Sequence, residues 1–244
     1  MEKRMRKNES RLLEEGARYF QIELSEKQIQ QFMDYYELLI EWNQVMNLTA
    51  ITEFDEVMQK HFVDSLALAG VLNLNPCKNL IDVGTGAGFP GIPLKIAFPH
   101  LHVILLDSLN KRIRFLNEVI DKLGLFEIKA IHGRAEDMAR KKEYRQSFDL
   151  CVSRAVSNLS TLSEYCIPYT KIHGHFVSYK SGNVEEELRS AKKAITLLGG
   201  TIKSCEKFSL PGSRIERSLI FIEKEKKTPE IYPRKAGIPG KDPL

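Results

Sequence analysis

The chain has 244 residues, 43% of them apolar, which suits one large α/β domain or such a domain with an extension. No apolar stretch reaches the roughly 20 residues that cross a bilayer, and no apolar run follows the charged start at residues 1–7, so neither a membrane span nor a signal peptide is expected and a cytoplasmic location is. The net charge of +4 divides unevenly: residues 1–72 carry 8 Lys/Arg against 13 Asp/Glu, and the remainder 28 against 19. The second part is thus basic, as a polyanion binder would be, with a solvated basic face as the alternative.

In chain order, residues 25–47 predict a long amphipathic helix. Ser25 and Gln28 form a capping-box pattern, and Ile29, Phe32, Met33, Tyr36, Leu39, Ile40 and Asn43 recur at helical spacing. This aromatic stripe is read as packing against the rest of the chain. A second helical stretch is expected from His61 to Leu72, ended by a turn at residues 73–76. From residue 79 the pattern becomes short apolar runs alternating with helices. Strands are expected at 79–83, 102–107, 127–131, 148–152 and 173–179, with helices at 95–98, 110–123 and 183–198. Two further strands, 201–208 and 217–223, follow each other across a Pro211-Gly212 turn. Alternation closing on a hairpin indicates a mostly parallel, doubly wound sheet with helices on both faces. Three stretches result: a helical extension at 1–72, a main domain at 73–224 and a basic, Pro-rich tail or strap at 225–244.

The chemistry centres on the first strand–helix loop, Asp82-Val83-Gly84-Thr85-Gly86-Ala87-Gly88-Phe89-Pro90-Gly91. Its glycines let a ligand approach the main chain closely. The dinucleotide fingerprint GxGxxG is not met, because Phe89 stands at its sixth position and would crowd a pyrophosphate at the helix start. S-adenosylmethionine (SAM) has no phosphate and would tolerate the pattern. Asp82 can orient backbone or the cofactor's amino group. Asp107, at the end of the second strand, would accept both ribose hydroxyls. Gly133 to Asp137, after the third strand, stands where an acidic residue beside a small one would meet the adenine. Ser153-Arg154-Ala155-Val156, after the fourth strand, would face the cofactor sulfur and the substrate.

That last position lacks the Asn/Asp-Pro-Pro-aromatic motif of amine methylation and the Pro-Cys of base-carbon methylation. An acceptor with a free lone pair and no proton to lose, such as guanine N7, would need neither. Cys77, Cys151, Cys166 and Cys205 have no CxxC spacing, and His173 with His175 has no further ligand nearby, so no metal site is expected. Cys151 reads as a small core residue.

Trp42-Asn43 through Asn47-Leu48-Thr49, His61 to Ser65, Asp82 to Pro93, Asp107 to Arg112, Arg134-Ala135-Glu136, Ser153-Arg154-Ala155, Lys180-Ser181-Gly182 and Glu216-Arg217 occur in that order over nearly the whole chain. By these motifs the chain resembles the RsmG/GidB family, which methylates guanine N7 in bacterial small-subunit (16S) ribosomal RNA. Asn110 and Ser181 depart slightly from related sequences. The resemblance implies a Rossmann-like, class I SAM-dependent methyltransferase fold: a seven-stranded, mostly parallel sheet with an antiparallel last hairpin, and an N-terminal helical extension. It implies SAM as cofactor, S-adenosylhomocysteine as product, ribosomal RNA or the small subunit as partner, and a monomer. Gly84, Gly86 and Phe89 would line the methionine and ribose region. Asp107, Ser108 and Leu109 would hold ribose and adenine, and Ala135 with Glu136 would frame the adenine. Arg154 would reach the cofactor and the target base. Asn47, His61, Lys111, Arg112, Arg134, Lys180 and Arg217 are assigned to the cofactor or RNA side; for His61 a structural role in a helix stands equally open, and for Lys111 and Arg112 a solvated helix start. Small-molecule methyl transfer, nicotinamide-dependent redox chemistry and plain RNA binding on a vestigial cofactor fold are the rival readings.

Overall fold

In the computed structural model the described residues are 10–154, 157–182 and 184–244. The charged start at residues 1–7, Ala155, Val156 and Asn183 fall outside them. Helix α1 (Arg11–Tyr19) leads into α2 (Glu26–Met46). The capping box at the start of α2 forms: Gln28 N donates to Ser25 Oγ at 3.3 Å, and Ser25 N donates to Gln28 Oε1 at 2.8 Å. Asn47 ends the helix in the left-handed region at φ 48°, which asparagine tolerates better than most residues. The core-facing tyrosine of α2 is Tyr35, not Tyr36; it is fully buried, three residues after Phe32 and four before Leu39.

The next helical stretch begins earlier than the sequence pattern indicates and is not uniform. It runs as α3 (Phe54–Val57), a π turn (Met58–Val63), α4 (Asp64–Leu66) and a 3-10 turn (Ala67–Gly70). Single π turns recur at functional sites, and His61 lies on this one.

The strands β1 (Asn79–Val83), β2 (His102–Asp107), β3 (Ile128–His132), β4 (Phe148–Ser153), β5 (Thr170–Ser181), β6 (Gly200–Ser209) and β7 (Glu216–Lys224) form one sheet ordered β3-β2-β1-β4-β5-β7-β6. β1 to β5 pair in parallel, whereas β7 runs antiparallel to both β5 and β6. Near-continuous apolar runs in β1 and β4 follow from burial on both faces. Helices α5 (Gly91–Ala97), α6 (Asn110–Lys122), α7 (Ala135–Met138), α8 (Leu159–Cys166), α9 (Glu185–Leu197) and α10 (Ile238–Lys241) complete the chain. The sheet is therefore seven-stranded and mostly parallel with an antiparallel hairpin, as expected. α1, α7, α8 and α10 are additional to the expected elements, and α5 starts at Gly91, not Lys95.

The order of strands reverses between β1 and β4, and the crevice outside their carboxyl ends is where ligands bind in such sheets. Helices α2 to α4 close over one side of it through an aromatic cluster. Tyr35 packs on Phe62 at 5.2 Å and on Phe89 of the glycine loop at 5.4 Å, and Trp42 packs on Phe115 of α6 at 5.8 Å. On the opposite face residues 225–244 form a pinned strap. Arg145 donates to the carbonyls of Thr228, Pro229 and Tyr232, and Arg234 holds Glu164. Cys151 is fully buried, and burial beside Cys166 pushes its thiol pKa up. It is a core residue. No helix among the described residues is long and apolar enough to cross a membrane.

Candidate active site

A cavity of about 940 Å³ opens at the carboxyl ends of β1, β2, β4 and β5, within the size range of small-molecule sites. Its floor is the glycine loop. Gly84 and Thr85 donate their amides to the Leu106 carbonyl at 2.9 and 3.1 Å, stitching the loop to β2. Gly86 N donates to Asp107 Oδ2 at 2.9 Å. Gly86 has φ +63°, and a Cβ there would meet nothing within 4 Å, so its absence leaves open space on the cavity floor. Gly91 serves close packing instead: a Cβ would lie 2.9 Å from Asp82 Oδ2.

Asp82 is fully buried and acts as the latch of this loop. Its Oδ2 accepts from Thr85 Oγ1 at 2.6 Å and Gly91 N at 2.8 Å. Burial pushes its pKa up to about 7 against these hydrogen bonds, which pull the other way. Of the two roles open to Asp82 from sequence, the structure displays the backbone one, and the residue does not line the cavity. Asp107 does line it. Besides Gly86, its carboxylate accepts from Leu109 N at 2.9 Å and from Arg112 at 3.1 Å.

One wall is a polar network that ties the helical segment to the sheet. Asp64, 3% exposed in its side chain, accepts from Arg154 at 2.9 Å through Oδ2 and from Arg217 Nε at 2.9 Å through Oδ1. Arg154 also donates to the Lys60 carbonyl at 3.1 Å and approaches His61 Nδ1 at 3.2 Å. Its guanidinium lies 4.9 Å from the centre of the Phe89 ring, and His61 stacks on the same ring at 4.6 Å and 16°. Burial, and next the Arg154 charge, depress the His61 pKa to about 3. His61 is neutral at physiological pH. Lys180 lies across the cavity, bonded to Glu187 at 2.7 Å and to the Ser157 carbonyl at 2.5 Å.

The structure therefore brings Gly84, Gly86, Phe89, Asp107, Ser108, His61, Arg112, Arg154, Lys180 and Arg217 to one cavity. Leu109, Ala135, Glu136, Asn47, Lys111 and Arg134 are outside its lining. Leu109 N caps Asp107 and its side chain is 42% exposed. The Ala135 carbonyl accepts from Tyr169 at 2.6 Å, and the buried Glu136 accepts from Gly237 N of the strap at 2.7 Å. Lys111 donates to the Met46 carbonyl at 3.3 Å, Asn47 ends α2, and Arg134 is exposed at the start of α7.

Asp64 and Thr49 are among the lining residues that the sequence did not assign to the site. The signal for Asp64 was available. An acid three residues after His61 shares its helix face, and one set among Phe62, Val63 and Leu66 needs a buried partner.

The family model described as rRNA small subunit methyltransferase G (GidB) matches residues 28–219. The Ribosomal RNA small subunit methyltransferase G of Lachnoclostridium phytofermentans is 55% identical over 230 residues, 94% of this chain and 95% of that one. Its counterpart in Desulforamulus reducens is 53% identical, covering 95% and 97%. Among solved structures, a mutant of MtNAS in complex with S-adenosylmethionine superposes with a TM-score of 0.54 at 15% identity, over 81% of this chain and 73% of that one. M. jannaschii TYW2 in complex with AdoMet gives 0.50 at 15% identity, over 62% and 70%. These two likenesses concern the fold; the sequence matches decide the family. The chain belongs to the rRNA small subunit methyltransferase G family.

Proposed function

We propose that this methyltransferase uses SAM to methylate N7 of one guanine in small-subunit ribosomal RNA, by in-line displacement without a general base. The observation that carries the reading is the makeup of the wall at Arg154. It holds two arginines and the His61 ring stacked on Phe89, and both ring nitrogens of His61 are engaged, Nδ1 by Arg154 at 3.2 Å and Nε2 by Thr49 at 2.8 Å, so neither is free to take up a proton from a substrate. N7 has an unshared pair and no proton to lose, so positioning is the main demand on such a site.

The residues on the cavity floor fit SAM. The open space at Gly86 admits a ligand against the main chain, and the Asp107 carboxylate beside it, with Ser108, is the acceptor for ribose hydroxyls. Arg112 now sits on that carboxylate and would shift to share it. Phe89, Gly84 and Arg154 would flank the methionine end, and SAM supplies an activated methyl group there. His61, half-buried with one face on Phe89, presents its other face for the base, while the Arg154 and Arg217 charges, partly neutralised by Asp64, keep the wall net positive toward RNA. The exposed Arg134 and Lys111 grip phosphate in this account, which makes affinity fall with salt. A looped or single-stranded segment is the substrate form, because an A-form duplex hides the N7 edge in its deep groove. The protein acts in the cytoplasm as a monomer.

The experiment is to map N7-methylguanosine by chemical strand cleavage in small-subunit RNA from cells with and without the gene. One cleavage site that depends on the gene is expected; an unchanged pattern would overturn the N7 assignment.

A further inference from the structure

The hydrogen-bond directions in the site wall can be worked out from one end. Arginine has no acceptor, so the 3.2 Å contact between Arg154 and His61 makes His61 Nδ1 the acceptor. His61 is neutral, which places its single ring proton on Nε2. That Nε2–H then donates to Thr49 Oγ1 at 2.8 Å. Thr49 Oγ1 also accepts from Ile51 N at 3.0 Å. A hydroxyl has two lone pairs and one proton; both lone pairs are now used. Only the proton remains, and among the described residues no acceptor is found for it. Thr49 lines the cavity beside His61 and Arg154, and its own amide is held by Asn43 Oδ1 at 2.9 Å. The hydroxyl is thus a fixed group that can donate and cannot accept.

We propose that Thr49 is a specificity-determining residue, whose hydroxyl donates to the O6 atom of the target guanine. This rests on the N7-guanine reading above. O6 and N7 share one edge of guanine and both are acceptors, whereas adenine carries an amino donor at the same place. A donor-only hydroxyl accepts the first base and opposes the second. The outer face of His61 suits any base, which leaves the discrimination between purines to donors such as Thr49. Arg154 acts on this choice through His61, by fixing which ring nitrogen carries the proton.

The test compares Thr49→Val and Thr49→Ser with the unaltered chain, using small subunits from cells lacking the gene and isotope-labelled SAM. A second set of subunits carries adenine at the mapped position. Calorimetry with SAM and thermal melting accompany the assay. Thr49→Val is expected to lower kcat/KM on guanine subunits roughly 10- to 100-fold, the range of one base-reading contact. It should leave SAM affinity within about twofold and raise the low transfer to adenine subunits, since the opposing donor is gone, while Thr49→Ser stays near the starting activity on both. Full activity of Thr49→Val would overturn the proposal. A modest fall in Tm is expected, because His61 Nε2 and Ile51 N lose their acceptor; a parallel loss of SAM binding, which would place Thr49 with the cofactor, or an equal fractional loss on guanine and adenine subunits, which would place it with the fold, would overturn the proposal. If the unaltered chain makes no N7-methylguanosine, the N7 reading itself fails, a result separate from any effect at Thr49.

Discussion

Replacing Asp64 by Ala removes the single carboxylate that two guanidinium groups share, and the structure allows its cost to be bounded. Each of the two ion pairs is a charge-assisted hydrogen bond of 2.9 Å, and such bonds contribute about 1.5–3 kcal/mol apiece. The Arg154 and Arg217 side chains are 19% and 18% exposed, so water returns to part of each once the carboxylate is gone. Taking half of the summed value, about 3–6 kcal/mol, gives about 1.5–3 kcal/mol, at or below the roughly 3–5 kcal/mol of a fully enclosed broken pair. For a chain of this size that amounts to a fall in Tm of roughly 3–12 °C. Thermal unfolding followed by circular dichroism measures it directly. A double-mutant cycle with Arg217→Gln should return a coupling above about 0.5 kcal/mol, since the two residues touch. A Tm change under about 2 °C with no coupling would mean that these pairs exchange with water as surface pairs do, and would refute the buried-network account.

Three further predictions address the cofactor loop, proton balance and the strap. Asp107→Ala loses a charged acceptor, so SAM affinity measured by calorimetry should fall roughly 10- to 100-fold, while filter binding of RNA stays nearly intact; equal SAM affinity would remove Asp107 from the ribose site. Asp82, raised to about 7, keeps a proton in the folded state that the unfolded chain releases from about pH 4 upward, so its contribution to stability declines as pH rises through that window. His61, lowered to about 3, works in the opposite sense between about pH 3 and 6.5, and the two offset each other. Asp82→Asn should therefore show stability climbing with pH between about 4 and 6.5 more steeply than the parent, as followed by denaturant titration; parallel curves would contradict the shift. Among the described residues, Arg234→Ala leaves Glu164, whose side chain is 1% exposed, with only the residue 234 amide. It should cost about 3 kcal/mol and open residues 225–244 to trypsin, and an unaltered digestion rate would show that the strap is held by other contacts.

The parts of the site that were legible in sequence are those built from local chain geometry. Gly84, Gly86 and Gly88 all take positive φ, and a glycine-rich turn after an apolar run announces this. Asp107 is legible because a carboxylate ending a buried strand has few other uses. The Ser25 and Gln28 capping box spans three residues and was equally plain. What was missed depends on pairing across long separations. The residues around Asp64 announce a buried acid but not its partners, which lie 90 and 153 residues away. Thr49 gains meaning only from the polarity of His61, itself set by Arg154. Helix α8 escaped because it is buried on nearly every side, which erases the period of 3.6, although Asn158 caps it by accepting from Thr161 N at 2.8 Å. The aromatic pattern favours Tyr36 over Tyr35 because adjacent residues differ by about 100° around a helix, and the stripe alone does not say which side meets Phe89.

Methyl transfer from SAM to guanine N7 in small-subunit RNA can be followed through the transferred methyl group itself. The purified chain, incubated with methyl-labelled SAM and small subunits from cells lacking the gene, tests it most directly once the RNA is digested to nucleosides and separated. The account predicts label in N7-methylguanosine alone. Label in another nucleoside, or in no nucleoside while SAM binds normally, would contradict it.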